Sequence, residues 1–187
     1  YQSSFLSDKN FEDMGVLFID VDEDGDLDLF VASGGVECVP GSSLLLDRIY
    51  LNDGLGNFTK DRSSLMPDIR TSSSVVAAAD IDLDGTQEIF IGGRVVPGKY
   101  PSSPSSYIIK KIDYNYSDAT VKLAPEIKNA GMVTSAIFSD VDIDGWPDLL
   151  VTYEWGPVRF FHNDSGFLYD RTADVDMAER LGWFNSI

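Results

Sequence analysis

At 187 residues, 43% of them hydrophobic, the chain is long enough for a domain with a real core and too apolar for a disordered acidic tail. Its 31 Asp and Glu against 14 Lys and Arg leave a formal charge of −17, which argues against nucleic acid or an anionic membrane bound through phosphates and favours cations as partners. One cysteine, Cys38, excludes an internal disulfide, and no apolar run approaches the roughly 18 residues of a membrane span.

The predicted elements repeat with a period of 60 residues, in units 11–70, 71–130 and 131–181. In the first unit a short apolar stretch at 15–19 leads into the acidic run DVDEDGDLD at 20–28, and a second apolar stretch follows at 29–32. A loop at 34–46 precedes a predicted hairpin, with strands 49–52 and 58–60 around the turn DGLGN. In the second unit 75–79 and 89–91 flank the run DIDLDGTQE at 80–88. Loops at 63–73 and 97–106 border it, and 107–109 and 120–123 read as its outer strands around 113–118. In the third, 136–138 and 149–151 flank DVDIDGWPD at 140–148, and a hairpin of 160–163 and 167–169 turns at 164–166. The weak helical signal at 176–181 stands outside this pattern, and 182–187 reads as the first strand of a further repeat, cut short.

The apolar runs are short, often β-branched and bounded by Gly, Pro, Asp or Ser, which predicts buried strands. Each acidic loop then joins two antiparallel strands. Four strands per unit predicts an all-β fold of three four-stranded antiparallel blades of a β-propeller. Small residues in the first strands (Gly15, Ala77, Ala78, Ala79 and Ala136) suit a crowded central axis. Closure takes four to eight blades, so an unclosed segment of a longer protein is expected, with open blade faces available for self-association.

The loops carry the chemistry. Acids at positions one, three and five converge on one point, and glycine at position six permits the sharp turn. Position seven offers a backbone carbonyl, and the acid at position nine closes the shell. The predicted ligands are Asp20, Asp22, Asp24, Asp26 and Asp28 in the first loop. They are Asp80, Asp82, Asp84, Thr86 and Glu88 in the second, and Asp140, Asp142, Asp144, Trp146 and Asp148 in the third. Such hard oxygen shells fit Ca2+, one ion per repeat and about three in all; magnesium demands stricter octahedra. No His or Cys joins any loop in this reading, so zinc and copper are not expected. EF-hands are excluded because position twelve is Val31, Ile91 or Val151, inside a strand, where an EF-hand needs Glu.

The loops resemble those of FG-GAP and VCBS repeats, found in integrin α-subunit propellers and many bacterial surface proteins. The turn 52–58 (NDGLGNF) is similar to the second hairpin of such repeats. Segments 91–101 (IGGRVVPGKYP), 153–157 (YEWGP) and 182–185 (GWFN) resemble the branch of cartilage acidic protein and ASPIC/UnbV-containing relatives. The resemblance implies calcium at the loop acids, with Glu88 departing from the usual Asp. It also implies an extracytoplasmic setting and an adhesion, recognition or scaffold role toward a protein or glycan ligand. Two other functions compete. A polysaccharide-active, lyase-like enzyme finds little support, since the one histidine, His162, sits beside a predicted turn. A lectin-like module would use Trp146, Trp155 and Trp183 to stack sugars, with Trp146 the best candidate because burial is harder inside an acidic loop.

Overall fold

A computed structural model describes residues 3–187. Twelve strands form three four-stranded antiparallel sheets, each a simple meander. The first sheet holds β1 (Asp13–Ile19), β2 (Asp28–Ser33), β3 (Arg48–Asn52) and β4 (Phe58–Lys60). The second holds β5 (Ser72–Ala79), β6 (Glu88–Val95), β7 (Tyr107–Ile112) and β8 (Asn115–Asp118). The third holds β9 (Val133–Ser139), β10 (Asp148–Tyr153), β11 (Arg159–Asp164) and β12 (Phe167–Asp170). The chain is therefore all-β, three blades of an unclosed propeller.

The first strands of the blades lie side by side, β1 against β5 and β5 against β9. Small residues permit this approach. A Cβ on Gly15 would stand 3.2 Å from the Ser74 carbonyl oxygen, and Ser74 Oγ donates across to the Val133 carbonyl at 2.7 Å. The second strands are buried on both faces, which explains their unbroken apolar runs.

Two cores fill the gaps between blades. Phe30, Ile49, Val76, Ile89 and Ile109 pack between the first and second, and Phe90, Ile108, Leu149, Phe161 and Leu168 between the second and third. Each fully buried side chain of this size contributes roughly 1.5–3 kcal/mol. Position two of the first two acidic loops joins this packing: Val21 and Ile81 are 0% exposed, each under the following blade. Val141, on the open face of the third blade, is 48% exposed. Met14, Val16 and Phe18 are likewise exposed on β1. A short helix α1 (Ser3–Leu6) covers part of the first blade, with Phe5 4.7 Å from the Tyr50 ring.

Three expectations are corrected. The outer strand of the second blade is β8, not 120–123, which forms a helical turn α2 (Thr120–Leu123). The reason is an Asp-x-Thr device. The Asp118 carboxylate accepts from both the Thr120 backbone N–H (2.9 Å) and its hydroxyl (2.5 Å), turning the chain out of the sheet. The device recurs with Asp170 and Thr172 at the end of β12, and with Asp61 and Ser63 after β4. The helical signal at 176–181 gives only a 3-10 turn upstream, Thr172–Val175, which Asp176 ends with φ of 54°. Residues 182–187 form no strand; Gly182 makes a single bridge to Gly156.

Candidate metal centre

Each acidic loop spans the end of a blade's first strand and the start of its second. Local hydrogen bonds fold all three loops identically. The acid at position one accepts the backbone N–H groups of positions five and six: Asp20 from Asp24 and Gly25 (3.2 and 3.0 Å), Asp80 from Asp84 and Gly85 (3.0 and 2.9 Å), Asp140 from Asp144 and Gly145 (3.0 and 2.9 Å). The acid at position five accepts the N–H of position seven, at Asp26, Thr86 and Trp146. The glycine at position six is left-handed every time, φ of 95°, 94° and 93°, a conformation that disfavours a side chain. Position four is left-handed too, at Glu23, Leu83 and Ile143, which its residue types did not announce.

Position nine anchors each loop to the core. Asp28, Glu88 and Asp148 are all 0% exposed. One oxygen of each takes the N–H of position two: Val21 (3.0 Å), Ile81 (2.8 Å) and Val141 (3.0 Å). In the first and third blades the other oxygen takes the N–H of a third-strand asparagine, Asn52 or Asn163, both at 2.8 Å. Third strands also latch blades together. Asn163 Nδ2 donates to the Ile81 carbonyl (2.9 Å), and Lys111, at the equivalent position, donates Nζ to the Val21 carbonyl (2.8 Å).

This scaffold gathers oxygens. Single carboxylate oxygens of Asp20, Asp22 and Asp28 lie within 4.8 Å of one another, as do those of Asp80, Asp82 and Glu88, and those of Asp140, Asp142 and Asp144. In the first loop Asp26 Oδ1 is buried without a hydrogen-bond partner among the described residues. Burial, then the Asp28 and Asp24 carboxylates, push the Asp22 carboxyl above its ordinary value, and burial likewise raises Asp28. Hard oxygens, an orphaned buried acceptor and crowded negative charge are a donor set that could hold a metal ion.

The other two loops differ in one respect each. Lys110 Nζ reaches Asp82 (2.9 Å), Asp84 (2.7 Å) and Glu88 (2.6 Å), so the second donor set surrounds an ammonium. The Lys110 hydrogen bond holds the Asp84 carboxyl below its ordinary value, while burial still raises Glu88. In the third loop, His162 Nδ1 lies 3.1 Å from Asp148 Oδ1 and 3.6 Å from Asp142 Oδ2. The expectation that no histidine joins a loop is thus corrected for this one. The fold supplies His162 from β11, not from the loop's own sequence. Trp146 is half-buried, whereas Trp155 and Trp183 are 62% and 52% exposed, so the exposed tryptophans lie outside the loops.

Among the described residues no helix is long and apolar enough to cross a membrane. Among curated proteins, none matches the chain in sequence. A family model described as an FG-GAP-like repeat matches residues 20–91, from the first acid of the first loop to the strand beyond the second, and the chain thus contains an FG-GAP-like repeat there.

Proposed function

We propose that the chain is a calcium-stabilised propeller segment of a secreted or surface protein, with an adhesion, recognition or scaffold role, in which calcium is structural. The observation that carries this reading is the first loop. It combines three acid oxygens within 4.8 Å, a buried orphan oxygen on Asp26, and a position-nine carboxylate with no exposed surface. A bound ion would tie the first strand of a blade to its second, and through Asn52 or Asn163 to its third. FG-GAP repeats are usually non-catalytic and typical of extracellular or surface proteins, which supports a binding role over the lyase alternative. The exposed apolar residues on β1 support self-association as a further property, testable by sedimentation. Calcium titration by calorimetry, with melting in calcium and in chelator, tests the proposal. Saturable binding with a higher melting temperature in calcium supports it; neither effect at millimolar calcium sinks it.

A specific observation favours a second, lectin-like reading. The Trp155 and Trp183 rings lie 5.0 Å apart on the surface. Trp155 Nε1 donates to the Tyr100 hydroxyl (2.9 Å), and that hydroxyl donates to Glu154 (2.9 Å). An exposed aromatic pair beside fixed polar groups suits a sugar ring. A glycan array comparing wild type with W155A separates this from scaffolding.

A further inference from the structure

β3, β7 and β11 hold the same place in their blades. Tyr50 pairs with Leu29, Ile109 with Ile89 and Phe161 with Leu149, each opposite the first residue after the acidic loop. One residue further along stand Leu51, Lys110 and His162. The first blade thus places an aliphatic side chain where the second places an ammonium.

The ammonium is fully matched. Its three N–H donors meet three carboxylates, from loop positions three, five and nine, and its side chain is only 17% exposed. Glu88 adapts to this. Its Oε2 keeps the bond to Ile81 N that Asp28 and Asp148 make to Val21 N and Val141 N. The extra methylene carries Oε1 to Lys110, where the shorter acids instead take the N–H of Asn52 and Asn163. Position seven changes as well, from Asp26 in the first loop to Thr86 in the second. The second and third loops each have four acids, so the Lys110 ammonium, which contacts three of the four in the second, sets the second apart.

We propose that Lys110 is a tethered cation that takes the metal ion's place in the second loop, so that the chain binds calcium at its first and third loops and holds its middle blade without calcium. This rests on the calcium reading of the other two loops. The middle blade is then the metal-independent element of the array.

The test is calcium titration of the intact chain, counting ions by calorimetry and native mass spectrometry. Wild type binds two. D82N in the second loop leaves that count unchanged, whereas D22N in the first lowers it by one. K110L, which installs the first blade's residue, raises the count to three. Three ions in wild type, a lower count in D82N, or a count of two in folded K110L overturns the inference while leaving the calcium reading intact. Should K110L fail to fold, the D82N count decides. No ion in wild type overturns the calcium reading and this inference with it.

Discussion

Replacing Asp28 by alanine separates the structural role of position nine from its role toward a metal. The Asp28 carboxylate has no exposed surface and accepts two backbone N–H groups, Val21 at 3.0 Å and Asn52 at 2.8 Å. Removing it orphans both donors, at about 1–3 kcal/mol each. Burial and the nearby Asp24 and Asp26 already disfavour the ionised form, so relief of that crowding offsets part of the loss. D28A should therefore lose about 2–4 kcal/mol in chelator, from two orphaned donors less the relief. In calcium at about 100 times the dissociation constant, the wild-type site adds roughly 2.7 kcal/mol, which D28A forfeits as well. Urea unfolding of both proteins, in calcium and in chelator, measures the two losses from midpoints at constant slope. A loss below about 1 kcal/mol in both conditions would refute the argument that position nine is the anchor.

Three further predictions concern charge. Burial raises the Asp47 carboxyl to about 7, against hydrogen bonds from the Ser33 N–H and the Ser73 hydroxyl. The folded chain thus binds more protons than the unfolded one between pH about 4 and about 7. Stability falls as pH rises through that window, by as much as about 4 kcal/mol, and is flat above it; D47N should flatten the profile and exceed wild type at pH 8 in a urea series. K111M removes the donor to the Val21 carbonyl (2.8 Å) and Glu23 (3.0 Å), and should cost about 1–2 kcal/mol by the same assay without changing calcium stoichiometry. Asp22, Asp26 and Asp28 are all raised above 3.8, burial being the first cause in each. Metal-free stability should then fall as pH rises from that value, while calcium binding gains as protons leave, so the melting-temperature gap between calcium and chelator should widen from pH 4.5 to 7.

Much of the architecture was legible because the acidic loops recur at one period and the strands beside them are short and apolar. Glycine at position six predicted a turn that is left-handed in all three loops. The second blade's outer strand was misplaced because Asp118 and Thr120 act through side-chain hydrogen bonds that propensity does not register; Val121 and Leu123 merely look strand-like. Lys110 and His162 were missed as loop partners for a different reason. Lys110 lies 30 residues after its loop begins at Asp80, Leu51 lies 31 after Asp20, and His162 lies only 22 after Asp140. Connections of unequal length hide the equivalence, which only the strand register restores. The Asp-x-Ser/Thr signal at 61–63, 118–120 and 170–172 was present in the sequence and would have marked the end of each fourth strand.

The central claim is that calcium at the acidic loops ties together the strands within a blade. Its most direct test is calorimetric calcium titration of the wild-type chain, paired with thermal melting in calcium and in chelator. Calcium at the first and third loops gives saturation at two ions and a clear drop in melting temperature on chelation. No binding at millimolar calcium and superimposable melts would contradict it, and the loops would then be acidic turns held by their own hydrogen bonds on an all-β frame.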